Sequence, residues 1–190
     1  MNLATETAIP ARYISRLRET DDFARTDEVG SPTERCFVVL ENSTVPKEET
    51  EDIGPRIRLL FEAAREQLFE DGMESDFAAE LAIQIRRYGN DVIAVLTRLI
   101  ISEQVEEGVA SEALRVLGCI NHRQTYESRL WLLERSLYCT SPWIRDGAAL
   151  GLAWLDDPRA VRYLRQAIER EQIKELQEDM DRVLIQLETH

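Results

Sequence analysis

Asp156 and Asp157 stand side by side in LDDPRAV, and a carboxylate pair of this kind can in principle divide general acid and general base duties. Pro158 follows at once, however, and an amphipathic run begins behind it. A carboxylate in that place accepts hydrogen bonds from the unpaired amides of a helix start, so capping accounts for the pair. His122 has no His, Cys or acid at metal-ligand spacing and reads as an exposed turn histidine. Cys119 and Cys139 lie among apolar helical neighbours and read as packing residues; with Cys36 they are odd in number and far apart, which suits neither a disulfide framework nor a zinc site. No Gly-rich phosphate loop, nucleophile elbow or HExxH helix is present. The residues therefore predict no catalytic set, no cofactor and no metal: the chain reads as a non-enzyme.

Chemistry of recognition is better supplied. Behind Asp157-Pro158 the apolar residues Val161, Leu164 and Ile168 mark the inner face of a helix, which leaves Arg159, Arg162, Tyr163, Gln166 and Arg170 largely outside. Trp131 and Arg135 fall on the corresponding face of an earlier helix. Arg, Tyr and Trp combine large contact area with directed hydrogen bonds and dominate binding hot spots. These seven residues are the candidate partner-binding set. Trp154, in an apolar helix, is expected in the core, whereas Trp143 fits either side.

Positioning those residues requires a core, and 190 residues can bury one without disulfides or metals. Apolar content of 44% with 31% charged residues is the profile of a globular chain, and the longest apolar run, Val92 to Ile101, is interrupted by Arg98 and too short to span a bilayer. MNLATETAIPARY lacks the features of a secretory signal, so a cytoplasmic location and no membrane partner are expected. The net charge of -13 speaks against nucleic acid and for a protein partner of basic character. The acid excess is uneven: residues 61–113 hold 12 acids and 4 bases, residues 114–190 hold 12 acids and 11 bases.

Residues 1–55 form a predicted arm. A short helix is expected over 10–19, where Ile9, Tyr13 and Leu17 recur, and a single strand over Cys36, Phe37, Val38, Val39 and Leu40, within a stretch rich in Gly, Pro, Ser, Thr and acids. A lone strand must pair with the body or with a partner's sheet edge. From Arg56 onward the pattern is helical. Ile57, Leu60, Phe61, Ala64 and Leu68 predict a helix ending near Asp71-Gly72; Phe77, Leu81, Ile85 and Tyr88 predict the next; Asn90 and Asp91 are set to cap a third through Val92, Val95 and Leu99. Two further pairs follow, the second opening on Ser141-Pro142, a capping Ser followed by a first-turn Pro, and a last helix runs through Leu176, Met180, Val183, Leu184 and Leu187. The first helices of these two pairs superpose at an offset of 35 (Ala113 with Ala148, Leu117 with Leu152), the second helices at 31 (Leu130, Leu133 and Leu137 with Val161, Leu164 and Ile168). Repetition at this period marks a stack of helix pairs.

The stretch IRDGAALGLAWLDDPRAVRYLRQAI resembles the HEAT repeat, in particular the subtype also found in bilin-chromophore lyases, through Arg145, Ala148, Ala149, Leu150, Gly151, Leu155, Asp157, Pro158, Val161 and Leu164. The preceding unit keeps Leu117-Gly118 but has Asn121-His122 instead of Asp-Pro, and the likeness extends over roughly 77–187. It implies an all-α fold, an α-solenoid of about three helix pairs plus flanking helices over 56–190, whose second helices hold a partner. The expected function is a protein-binding adaptor or scaffold, aided by the arm. The acidic balance offers an alternative, an antidote or immunity protein that neutralises a basic toxin, and the repeat subtype a further one, a subunit of a chromophore lyase.

Overall fold

The computed structural model describes residues 52–67, Phe69 and 75–189. The predicted strand Cys36–Leu40 and the helix over 10–19 lie outside the described residues. Eight α-helices make up the described part, with no strand among these residues: α1 Ile53–Ala63, α2 Asp76–Tyr88, α3 Asn90–Ile101, α4 Glu107–Cys119, α5 Tyr126–Ser136, α6 Pro142–Leu155, α7 Val161–Ile168 and α8 Lys174–Thr189. The described part is all-α, and no helix in it is long and apolar enough to cross a membrane.

Each helix starts and stops for a local reason. Asp52 caps α1 by accepting from the amide of Gly54 at 3.1 Å, and Ser75 caps α2 by accepting from Ala78 at 3.0 Å. Glu106 does the same for α4, accepting from Val109 at 2.8 Å. Asp157 accepts from the Arg159 amide at 2.9 Å and opens a single 3-10 turn, Pro158–Ala160, that leads into α7. Three expectations are corrected. The first helix begins at Ile53 and closes at Ala63, short of Asp71-Gly72, because the backbone tightens into a turn at Ala64. Asn90 does not cap α3: its amide reaches across to the Gln124 carbonyl at 3.3 Å, and the joint between α2 and α3 is Gly89 alone, at φ 58°, where a Cβ would be strained. Ser141 gives its hydroxyl to Glu107 at 2.5 Å and not to its own helix.

The helices form two rows. In one row α2 packs on α4, α4 on α6 and α6 on α8; in the other α1 packs on α3 and α3 on α5, with α7 following α5 through side-chain bonds. Burial repeats with the chain. In α3 the buried positions are 92, 93, 95, 96, 99 and 100, and adding 37 gives 129, 130, 132, 133, 136 and 137, all buried around α5. Phe77, Ala78, Leu81, Ala82 and Ile85 map in the same way, 32 residues on, to Val109, Ala110, Ala113, Leu114 and Leu117. In α7 the fully buried row is Ala160, Leu164 and Ala167; Val161 and Ile168 are only half-buried. Trp143 is buried and Trp154 half-buried.

Helices α4 and α6 run parallel at backbone contact. A Cβ at Gly147 would come within 2.6 Å of the Ser111 backbone and one at Gly151 within 2.5 Å of the Leu114 carbonyl oxygen, while one at Gly118 would collide with the carbonyl of Gly151. Only glycine permits this approach, which is the physical content of the Leu-Gly motif. Thr140 donates its amide to Glu103 at 2.6 Å, adding to the Ser141–Glu107 bond where α6 starts. Arg145 of α6 ties down the connection that leads into α8, its guanidinium meeting Glu171 at 2.7 and 2.9 Å with side chains 17% and 1% exposed; Arg145 also donates to the carbonyls of Cys139 and Thr140.

Candidate functional site

The second row carries the charged and aromatic residues singled out in the sequence. Helix α5 turns its buried side, Leu130, Leu132, Leu133 and Ser136, to the first row, which leaves Glu127, Trp131 and Arg135 outside. Trp131 is 54% exposed at the centre of that stripe. On the neighbouring α3 the same register is held by exposed Ala94, and the register of Arg135 by exposed Arg98. The side chains of Arg98 and Arg135 form no hydrogen bond or ion pair with another described residue.

The remaining candidates join α5 to α7. Arg159 grips Asp157 through Nε and a terminal nitrogen at 2.7–3.1 Å, reaches Glu127 with two bonds of 3.1 Å and lies over the Tyr126 ring at 5.8 Å. Tyr126 donates its hydroxyl to Asp157 at 2.8 Å. Arg162 donates to the Tyr163 hydroxyl at 2.7 Å and stacks 4.5 Å from that ring. Tyr138, just beyond α5, donates to the Tyr163 carbonyl at 3.1 Å, points at Gln166 at 3.4 Å and carries Arg170 over its face at 5.3 Å. Cation and ring pairs of this kind hold a surface in shape. The seven candidates thus divide: Trp131 and Arg135 stand open, whereas Arg159, Arg162, Tyr163, Gln166 and Arg170 already have partners within the chain.

The charges agree with this division. Burial would raise the Asp157 pKa, but hydrogen bonds from the side chain and amide of Arg159 and from Tyr126 hold it below the ordinary carboxylate value. Glu134 is pushed up by burial, against the attraction of Arg162. Beneath the surface Arg129 is 1% exposed, and burial lowers its pKa to about 10. It is charged at neutral pH all the same, and it donates to Thr125 Oγ1 at 3.2 Å and to the carbonyls of Leu117 and His122. The Leu117 carbonyl lies in the last turn of α4, where the helix dipole favours a cation. His122, half-buried, is lowered by desolvation and by Arg129.

Tyr126, Glu127, Tyr138 and Arg98 belong to this surface and were missed in the sequence. Tyr138 was within reach, being seven residues past Trp131 on one helical stripe; Glu127 was not, because its partner Arg159 is 32 positions away.

The chain matches no family model, no curated protein and no solved structure.

Elsewhere, a shallow groove of about 600 Å³ runs beside α1, lined by Leu59, Phe61, Leu99 and Val105 among charged side chains. No convergent acid, base and nucleophile lines it. Among the described residues no group of three or more His, Cys, Asp or Glu side chains is placed to hold a metal ion.

Proposed function

We propose that this chain is a non-enzymatic adaptor: a HEAT-like helical-repeat protein, an α-solenoid of three helix pairs (α2–α3, α4–α5, α6–α7) between α1 and α8, that holds a partner protein on the row of α3, α5 and α7. The observation that carries the reading is Trp131, more than half exposed at the centre of a row in which Glu127 and Arg159, and Tyr138 and Tyr163, are joined by internal bonds. A large aromatic side chain exposed on a well-ordered helix face is the usual anchor of an interface. The recurrence of burial at offsets of 32 and 37 supports the repeat architecture.

The antidote reading rested on the acids of residues 61–113. Several of these are engaged internally: Glu62 with Arg65, Glu80 with Gln84, Glu103 with Thr140, Glu106 with Val109, Glu107 with Ser141 and Glu112 with Arg115. The adaptor reading asks nothing of them. Affinity capture with the wild-type chain, with Trp131→Ala/Arg135→Ala and with a control variant on α8, Ile185→Ser, tests it. A stoichiometric protein retained by wild type and control and lost from the double variant is expected. Equal recovery by all three would place the interface elsewhere and overturn the proposal.

A further inference from the structure

The net charge of the whole chain points to a basic partner, but the charge of the exposed row does not. In residues 126–138 and 158–170 the exposed charges are five Arg (135, 159, 162, 165, 170) and two Glu (127, 169), Arg129 and Glu134 being buried, in a chain with 13 more acids than bases. The last helix is the reverse, with Glu175, Glu178, Asp179, Asp181 and Glu188 against Lys174 and Arg182. Acid therefore lies on α8 and cation on the α5–α7 face. Within that face Arg159 is engaged by Asp157 and Glu127, and Arg165 by Glu188 at 2.5 Å. The open cations are Arg98 and Arg135, in equivalent registers of adjacent helices, with Trp131 one helical turn from Arg135.

We infer that this face receives an acidic peptide segment of a partner protein, its carboxylates on Arg98 and Arg135 and an apolar side chain against Trp131. The inference rests on the adaptor reading above and adds the chemistry of what is held. Guanidinium groups bind carboxylates through paired N–H donors, and the indole offers flat apolar area beside them. A nucleic acid fits less well. The exposed Glu127 and Glu169 interrupt the arginines, so an evenly charged phosphate backbone would meet a carboxylate between cations, whereas a peptide can place its acids two by two.

Trp131 supplies its own readout, since Trp143 is buried and Trp154 half-buried. The full-length chain is titrated with a synthetic peptide of about twelve residues, Asp and Glu around a central Phe, and quenching of the exposed tryptophan emission by added acrylamide, a neutral quencher, is followed. Parallel titrations use the same peptide with Lys for each acid and a single-stranded oligonucleotide of equal charge. Expected are protection of Trp131 by the acidic peptide alone, an affinity that falls at least about tenfold on raising salt from low to high concentration, and a comparable loss in Arg98→Gln/Arg135→Gln. Binding of the Lys peptide or the oligonucleotide as tight as that of the acidic peptide, or unchanged affinity in the arginine variant, would overturn the inference. Sedimentation of the chain alone covers one further occupant: a dimer abolished by Trp131→Ala would assign the face to a second copy and also overturn it. The two proposals fail separately. A captured protein that needs Trp131, with no acidic-peptide binding, leaves the adaptor standing and removes only the acidic segment.

Discussion

The α4–α6 and α5–α7 joints, one in each row of helices, are made in opposite ways. Between α4 and α6 the backbones touch, through Gly118, Gly147 and Gly151, and polar bonds only secure the ends. Between α5 and α7 the contact is made by long side chains: Glu127 with Arg159, Tyr138 with Tyr163 and Gln166. A backbone joint has no slack, since interiors pack as densely as crystals. A joint of arginine and tyrosine side chains can change rotamers and keep its bonds. The molecule thus has a stiff joint, α4–α6, in one row and an adjustable joint, α5–α7, in the other, and the candidate recognition residues lie beside the second.

The sharpest break of this contrast is Arg145→Ala in the row of the stiff joint. Glu171 would be left buried without its cation, at a cost of about 3–5 kcal/mol, which corresponds to a fall in Tm of roughly 10 °C. Thermal denaturation checks it, and a shift below about 2 °C would show that the α6–α8 joint does not depend on the pair. Gly118→Ala comes next. Its methyl has no room against Gly151, so the helices must part, at about 3 kcal/mol, the upper end of the usual cost of overpacking. Wild-type stability in denaturant titration would contradict the backbone joint.

Acid tests both rows together. Burial opposes ionisation of Glu171 and Asp157, but hydrogen bonds from Arg145 to the first and from Arg159 to the second hold both below their ordinary values. Such groups bind fewer protons folded than unfolded. Their stabilisation is complete above the ordinary carboxylate range and is lost as pH falls through the folded values. Tm should therefore drop below about pH 4.5, and Arg145→Ala should flatten part of that slope; an unchanged slope would separate Glu171 from the acid response. The smallest effect belongs to the adjustable joint: Tyr138→Phe removes one neutral hydrogen bond to the Tyr163 carbonyl, at about 1 kcal/mol. A loss as large as that of Gly118→Ala would erase the distinction between the joints.

How much of this was readable in the sequence depended on distance along the chain. The last pair, α6 and α7, was placed well because its signals are local: Pro142 at the first turn, Gly151 at the crowded position, Asp157 and Pro158 at the restart. The kinship of α3 with α5 was harder to see, since Ala94 and Trp131 occupy one register with side chains as unlike as any two. It emerges only from burial. The cap expected at Asn90 failed because the amide's acceptor, Gln124, is 34 residues on. The candidate recognition face was readable as a set of outward positions, from helical periodicity. Which of those positions is open was not, because Arg159, Gln166 and Arg170 are engaged by residues of the previous pair.

Buried Arg129 has a consequence for the order in which the chain folds. The carbonyl of Leu117 at the end of α4 receives its donor from a residue only 12 positions later, while the bonds between pairs span 25 to 37 positions. Short loops close soonest and at the least entropic cost. Like the α2–α3 pair, joined by Gly89 alone, the α4–α5 hairpin can then close during synthesis as a local unit, so that α6 arrives on a surface already finished.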